Sequence, residues 1–290
     1  MTPTPDRSIL VLGATGMLGH AMFRGLAGTT GCRVIGSTRT AAQHHRFSEP
    51  LRSRLVNNVD ANNPDSLSKV LDDVRPDVVI NCIGLVKQLP GANDPLSAIP
   101  VNALLPHRLA RLCRPMGARL IHISTDCVFD GTKGNYVETD PPDATDLYGR
   151  SKLLGELDCP DAITLRTSII GPELAGARGL VGWFLSQSGS VKGFRRAIFS
   201  GLPTVELTRV VRDFVLPDAS LYGLYHVSAA PISKYDLLKI VADVYRCRID
   251  LQPDDALVVD RSLDSSRFRN RTGYQPPAWH DLIRRMHEFG

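Results

Sequence analysis

The chain has 290 residues, 43% of them hydrophobic and 22% charged, and its 34 basic and 30 acidic side chains leave a net charge of +4. That length can bury one large core with a smaller lobe beside it. A charge this mild and this evenly spread gives no sign of nucleic-acid binding, and no apolar run is long enough to span a membrane.

The first residues, Met1 to Arg7, lack the apolar core of a signal peptide and read as a short loose end. Ser8 to Leu12 is an apolar run of strand type, and it passes directly into Gly13-Ala14-Thr15-Gly16-Met17-Leu18-Gly19 and then a helix-like segment. Strand, glycine turn and helix in that order point to dinucleotide binding, with the helix N-terminus facing the phosphates. Gly13 is expected to permit the turn, Gly16 the approach of the pyrophosphate, and Gly19 close packing of the helix. Thr15, Met17 and Leu18 complete the cofactor-binding turn.

A second strand is expected at 32–36. Where an enzyme selecting NAD places an acid after that strand, this chain reads Gly36-Ser37-Thr38-Arg39-Thr40. Arg39 could accept a 2′-phosphate, so the expected cofactor is NADPH, with NADH left open. His44-His45 has no third ligand at metal spacing, so a loop is expected there and no metal site. Further strands are read at 55–57, 77–84, 119–124, 162–170 and 223–228. Helices are read at 67–74, at 101–113 despite Pro106, and at 232–245. This alternation predicts an α/β fold with a doubly wound, Rossmann-type parallel sheet. Residues 1–170, with a contribution from about 204–245, form the dinucleotide-binding domain. Residues 171–290 mainly form a smaller substrate-binding lobe built from C-terminal insertions.

Tyr148 and Lys152 stand four apart and therefore share a helix face. A cation beside a phenol favours the phenolate, which would make Tyr148 a proton donor or acceptor near neutral pH. A hydroxyl from Ser124 or Thr125 could hold a carbonyl oxygen. Gly13, Gly84 and Ser124-Thr125 all fall at strand carboxyl ends, where such sheets place their ligands. Cys127 lies beside this site without a base partner and is read as pocket lining. The remaining five cysteines, Cys32, Cys82, Cys113, Cys159 and Cys247, are scattered, as expected of reduced thiols in a cytoplasmic protein. Lys192, Arg195 and Arg196 could meet a diphosphate. Trp183 and Phe199 could stack on a base or sugar, or simply pack. Asn102 could support a proton relay with Lys152 or be a satisfied buried amide.

Gly-Ala-Thr-Gly-Met-Leu-Gly at 13–19, Ser124-Thr125-Asp126-Cys127-Val128-Phe129-Asp130-Gly131 and Tyr148-Gly149-Arg150-Ser151-Lys152 together resemble the extended short-chain dehydrogenase/reductases, most closely the branch containing dTDP-4-dehydrorhamnose reductase. The resemblance implies Thr125, Tyr148 and Lys152 as catalytic residues. It also implies Asp60 against the adenine, Cys82, Ile83 and Gly84 beside the cofactor, and Thr125, Asp126, Cys127, Trp183, Arg195 and Arg196 on the substrate side. The implied reaction is NADPH-dependent reduction of a nucleotide-linked 4-keto-6-deoxy sugar in deoxysugar or surface polysaccharide biosynthesis. Relatives that dehydrate such sugars carry Asp-Glu after the hydroxyl residue, whereas Asp126 is followed here by Cys127. That leaves a reductase or an epimerase with bound NAD, and a dTDP- or UDP-linked sugar. A non-catalytic nucleotide-binding regulatory subunit is the alternative of another class. Family analogy leaves a homodimer through the 101–113 and Tyr148 helices open.

Overall fold

The computed structural model describes residues 6–89 and 91–290, so most of the expected loose end, Met1 to Pro5, lies outside the described residues. Seven strands form the main sheet: β1 Arg7–Leu12, β2 Cys32–Ser37, β3 Leu55–Val56, β4 Val78–Asn81, β5 Arg119–Thr125, β6 Ala162–Thr167 and β7 Gly223–His226. Their order is β7-β6-β5-β4-β1-β2-β3, and every neighbouring pair is parallel. The expected doubly wound α/β sheet is therefore the one that forms.

Parallel sheets are covered on both faces, which is why β1 reads as a continuous apolar run. Ile9, Leu10, Val11 and Leu12 are all fully buried. Alternation sends Ile9 and Val11 into a core with Met22 and Phe23 of α1 (Met17–Leu26). Leu10 and Leu12 go to the opposite core, with Leu67 and Leu71 of α2 (Pro64–Val74) and Leu109 of α3 (Leu105–Cys113). Asn63 caps α2, its side chain accepting from the Asp65 and Ser66 amides.

Two stretches depart from the periodicity. The helix read at 101–113 begins at Pro95 and passes through a π-helical segment, Ile99–Leu104, before α3. Such widened turns are frequent at functional sites. Its Asn102 is buried, with Oδ1 accepting from the Leu85 amide and Nδ2 donating to the Leu85 carbonyl and Ser151 Oγ. The run at 162–170 divides at Ser168, and Ile169–Ile170 leaves the sheet to pair with Leu202–Pro203.

The segments beyond form small sheets at the same end of the molecule. Ser190–Phe194 pairs with Asp250–Asp254, and Ala197–Phe199 lies between Ile232–Ser233 and Val259–Asp260. Among the described residues no helix is long and apolar enough to cross a membrane.

Candidate active site

The carboxyl ends of β1, β4, β5 and β6 open into one cleft of about 660 Å³, roofed by Ile198, Phe199, Lys234, Val259 and Arg261. A crevice beyond the strand ends is where open parallel sheets bind ligands, and this volume suits a small-molecule site.

One wall is the glycine turn. Gly13 takes a left-handed φ of +79°, and the Ala14 and Gly16 amides bond to the Ser37 and Gly13 carbonyls. A Cβ at Gly19 would lie 2.0 Å from the Gly13 carbonyl oxygen, so only glycine lets α1 start against the turn. Thr15, Gly16, Met17 and Leu18 line the cleft, as do Cys82, Ile83 and Gly84 after β4. Gly16 caps α1 without a side-chain bond, which leaves the first helical amides free for an anion. Arg39 is exposed just past β2, and Asp60 binds the Asn62 amide at 2.9 Å; both stand at this edge of the sheet but outside the lining. Gln43 is the residue of that segment that reaches the cleft.

The opposite wall is α4 (Leu147–Leu154), capped by Asp146, whose side chain accepts from the Gly149 amide at 2.8 Å. Tyr148 and Lys152 face the cleft from α4, and Thr125 from the end of β5. Strand alternation settles which hydroxyl is available. Ser124 donates to Glu156 at 2.6 Å, while Thr125 accepts from the Cys127 amide at 3.2 Å and faces the Tyr148 phenol.

The electrostatics differ from the sequence expectation. Lys152 Nζ donates to the Ile123 carbonyl at 2.7 Å instead of approaching the phenol. Burial pulls its pKa down to about 8, opposed by Glu156 and Cys82. Burial, followed by Cys127, pushes Tyr148 well above the usual phenol range, with the Thr125 hydroxyl opposing. The cation at the tyrosine ring is Lys87, with Nζ 5.4 Å from the ring centre and paired to Asp146 at 2.8 Å. The expectation that Lys152 lowers the tyrosine pKa is therefore corrected. Tyr148 is held as the protonated phenol, the form that can donate.

Asp126 and Cys127 line the cleft beside Tyr148. Burial raises the Asp126 carboxyl, and Arg261 and Lys234 are among the groups that oppose this. Burial, then Asp126, pushes Cys127 up to about 12, so it stays a thiol and not a nucleophile. Trp183, Arg195 and Arg196 are corrections, because none of them lines the cleft. Parallel pairing of 190–194 with 250–254 sets an acidic turn against the basic cluster. Arg195 Nε bonds Asp255 at 2.9 Å and Lys192 pairs with Asp254 at 3.0 Å. Trp183 is 39% exposed on the helix Leu180–Leu185. Besides Lys152, the cations that line the cleft are Lys87, Arg178, Lys234 and Arg261. The sequence reading gave none of these four a role. Asn102 is the satisfied amide and makes no bond to Lys152.

A phenol, an ammonium and a threonine hydroxyl face a glycine turn across a parallel-sheet edge, in a chain of the NAD(P)-dependent oxidoreductase class. The chain belongs to the family described as RmlD substrate binding domain, whose model matches residues 7–288. It is 34% identical over 165 residues to a dTDP-4-dehydrorhamnose reductase of Burkholderia thailandensis, an alignment that spans 55% of this chain and about half, 49%, of that relative. It is also 34% identical over 262 residues to methionine adenosyltransferase 2 subunit beta of Bos taurus, covering 83% of this chain and 73% of the relative. A crystal structure of dTDP-4-dehydrorhamnose reductase from Bacillus anthracis in complex with NADP shares the fold, with TM-score 0.80, 22% identity, and 98% and 99% of the two chains covered.

Proposed function

We propose that the protein is an NADPH-dependent reductase of a nucleotide-linked 4-keto-6-deoxy sugar. The observation that carries this reading is the convergence of Thr125, Tyr148 and Lys152 on the cleft that the glycine turn opens into. The residues fit a dinucleotide. The free amides at the start of α1 suit a pyrophosphate, Cys82 to Gly84 flank the path inward, and Lys152 stands where a nicotinamide ribose would lie. Arg39 and Asp60 are the residues we assign to the adenosine end, and the lobe formed mainly by 171–290 to the sugar nucleotide.

Bound there, NADPH would supply the hydride to the C4 ketone. Thr125 and Tyr148 orient the carbonyl oxygen, and Tyr148 donates the proton that turns the developing alkoxide into the alcohol. The raised pKa of the phenol suits that direction, because the donor must be protonated at the start. Lys152, tied to Ile123, would hold the cofactor ribose with a fixed positive charge. Arg261 and Lys234, with Arg178 and Lys87, offer the cationic side that a diphosphate needs. Cys127 stands where a dehydratase would carry a second carboxylate, which favours reduction over dehydration.

Following NADPH oxidation against dTDP- and UDP-linked 4-keto-6-deoxy sugars tests the reading, and NADPH is expected to outperform NADH. An epimerase would instead retain NAD through purification. A regulatory, non-catalytic subunit has the similarity to the bovine beta subunit in its favour. Intact Thr125, Tyr148 and Lys152 count against it. Exposed Leu96, Leu104 and Leu154, on the Pro95 to Cys113 stretch and α4, support a homodimer through these helices. The six free cysteines agree with a reducing, cytoplasmic setting.

A further inference from the structure

Behind the catalytic helix lies a buried charge cluster that the proposed reaction does not itself use. Glu156 stands four residues past Lys152, two residues beyond the end of α4, with its side chain 11% exposed. Arg166 on β6 grips it at both oxygens, Nε to Oε1 at 2.7 Å and Nη2 to Oε2 at 2.6 Å. Ser124, directly opposite Arg166 in the β5–β6 register, adds a third bond to Oε1 at 2.6 Å.

The arginine is itself held on its other sides. Its remaining nitrogen meets His226 Nε2 at 3.3 Å, and its guanidinium lies 5.2 Å from the centre of the Phe129 ring, which stacks on Tyr136. His226 Nδ1 meets the Tyr136 carbonyl at 3.0 Å, so it donates there and Nε2 is left to accept from the arginine. A neutral imidazole follows, and the cluster holds one carboxylate against one guanidinium. Desolvated charges this well satisfied hold their neighbours to one geometry.

We propose that Glu156 is a positioning residue of the reductase site. In this role it is the buried counter-charge that keeps the Lys152 ammonium charged, and through Ser124 it fixes the strand end that presents Thr125. Lys152 donates its hydrogen bond to the Ile123 carbonyl, one residue before Ser124, so one carboxylate governs both the charge and the placement of the neighbouring groups. The other titratable groups around Lys152 are Cys82 from the end of β4, His122 from β5 and Tyr148 on its own helix. Burial keeps the Cys82 thiol and the His122 imidazole neutral, which leaves Glu156 as the negative charge near the ammonium. The assignment to catalysis rests on the reductase reading, but the charge itself can be read without turnover.

The test follows the Lys152 ε-carbon by NMR in protein labelled at lysine, with Lys152→Met used only to assign the signal. In Glu156→Gln the titration midpoint should fall by about one pH unit or more, and the alkaline limb of kcat should move with it while KM changes little. Glu156→Gln leaves Arg166 without a full partner, so the double variant Glu156→Gln/Arg166→Met, which removes both charges, is measured as well. Its midpoint should also fall, by about half a unit or more. Glu156→Asp, which keeps the charge, should restore a midpoint near that of the wild type. A midpoint unchanged in the folded single or double variant overturns the proposal. If the wild type reduces no ketosugar, the functional reading fails while the NMR midpoint still decides this one.

Discussion

Lys152 Nζ lies 2.7 Å from the Ile123 carbonyl oxygen, on the strand that ends two residues later at Thr125. The ammonium is thereby fixed to the strand that carries the cleft-facing hydroxyl. Burial first, against opposition from Glu156 and Cys82, places its pKa at about 8. Turnover should be flat through neutrality and fall above about pH 8, close to tenfold per pH unit, in a kcat profile. The stability effect has the opposite sign. The unfolded lysine keeps its proton up to about 10.5, so between about pH 8 and 10.5 the unfolded chain binds more protons and this contribution to stability rises with pH. Below pH 8 the penalty, about 3 kcal/mol, is present in full. Urea unfolding of wild type and Lys152→Met at pH 7 and pH 9.5 should show the difference moving in favour of the wild type as pH rises.

Tyr148→Phe removes the proton donor and keeps the ring under Lys87. Single-turnover rates should fall about 10²- to 10⁴-fold, with NADPH affinity within about twofold of wild type by fluorescence titration. Unchanged turnover would mean that the proton comes from elsewhere.

Arg261→Met should raise KM for the sugar nucleotide about tenfold or more, without changing NADPH affinity, because Arg261 lines the cleft beside Asp126. Arg195→Met should leave KM and the melting temperature near wild type, since Arg195 pairs with Asp255 at a half-exposed surface. Steady-state kinetics on the pair distinguish the cleft from the outer basic cluster.

Gly149→Ala should disable the site by geometry alone. The added Cβ would meet the Cys127 carbonyl oxygen at 2.2 Å and the Ala144 Cβ at 2.6 Å, forcing α4 away from the 126–128 turn. A loss of about 1–3 kcal/mol and at least about tenfold in kcat is expected. Gly28→Ala is the control, because nothing lies within 4 Å of its added Cβ, and its melting temperature and kcat should stay near wild type.

Much of this site was legible because its parts are local. Gly13 to Gly19 spans one turn, and Tyr148 with Lys152 spans one turn of helix, so spacing alone fixes their geometry. The seven strands were readable because parallel strands buried on both faces leave continuous apolar runs. The choice between Ser124 and Thr125 needed the register, since adjacent strand residues face opposite sides. The cationic wall was not legible. Lys87, Arg178, Lys234 and Arg261 are brought together only by short pairings between distant segments, such as 197–199 with 259–260. Arg195 and Arg196 looked better in sequence because they are clustered, but the 190–194 and 250–254 pairing matched that cluster with acids. Nothing in the pattern around Pro100 announced the π segment that brings Asn102 to Leu85 and Ser151.

The central claim is that Tyr148 delivers a proton to a nucleotide-linked ketosugar while NADPH is oxidised. The most direct measurement follows absorbance at the reduced-nicotinamide band with wild type and Tyr148→Phe against dTDP- and UDP-linked 4-keto-6-deoxy sugars, with product quantified by mass. The account predicts one NADPH consumed per alcohol formed on at least one sugar, and loss of that turnover in Tyr148→Phe while NADPH still binds. NADPH binding to the wild type with no turnover on any member of the panel would contradict it.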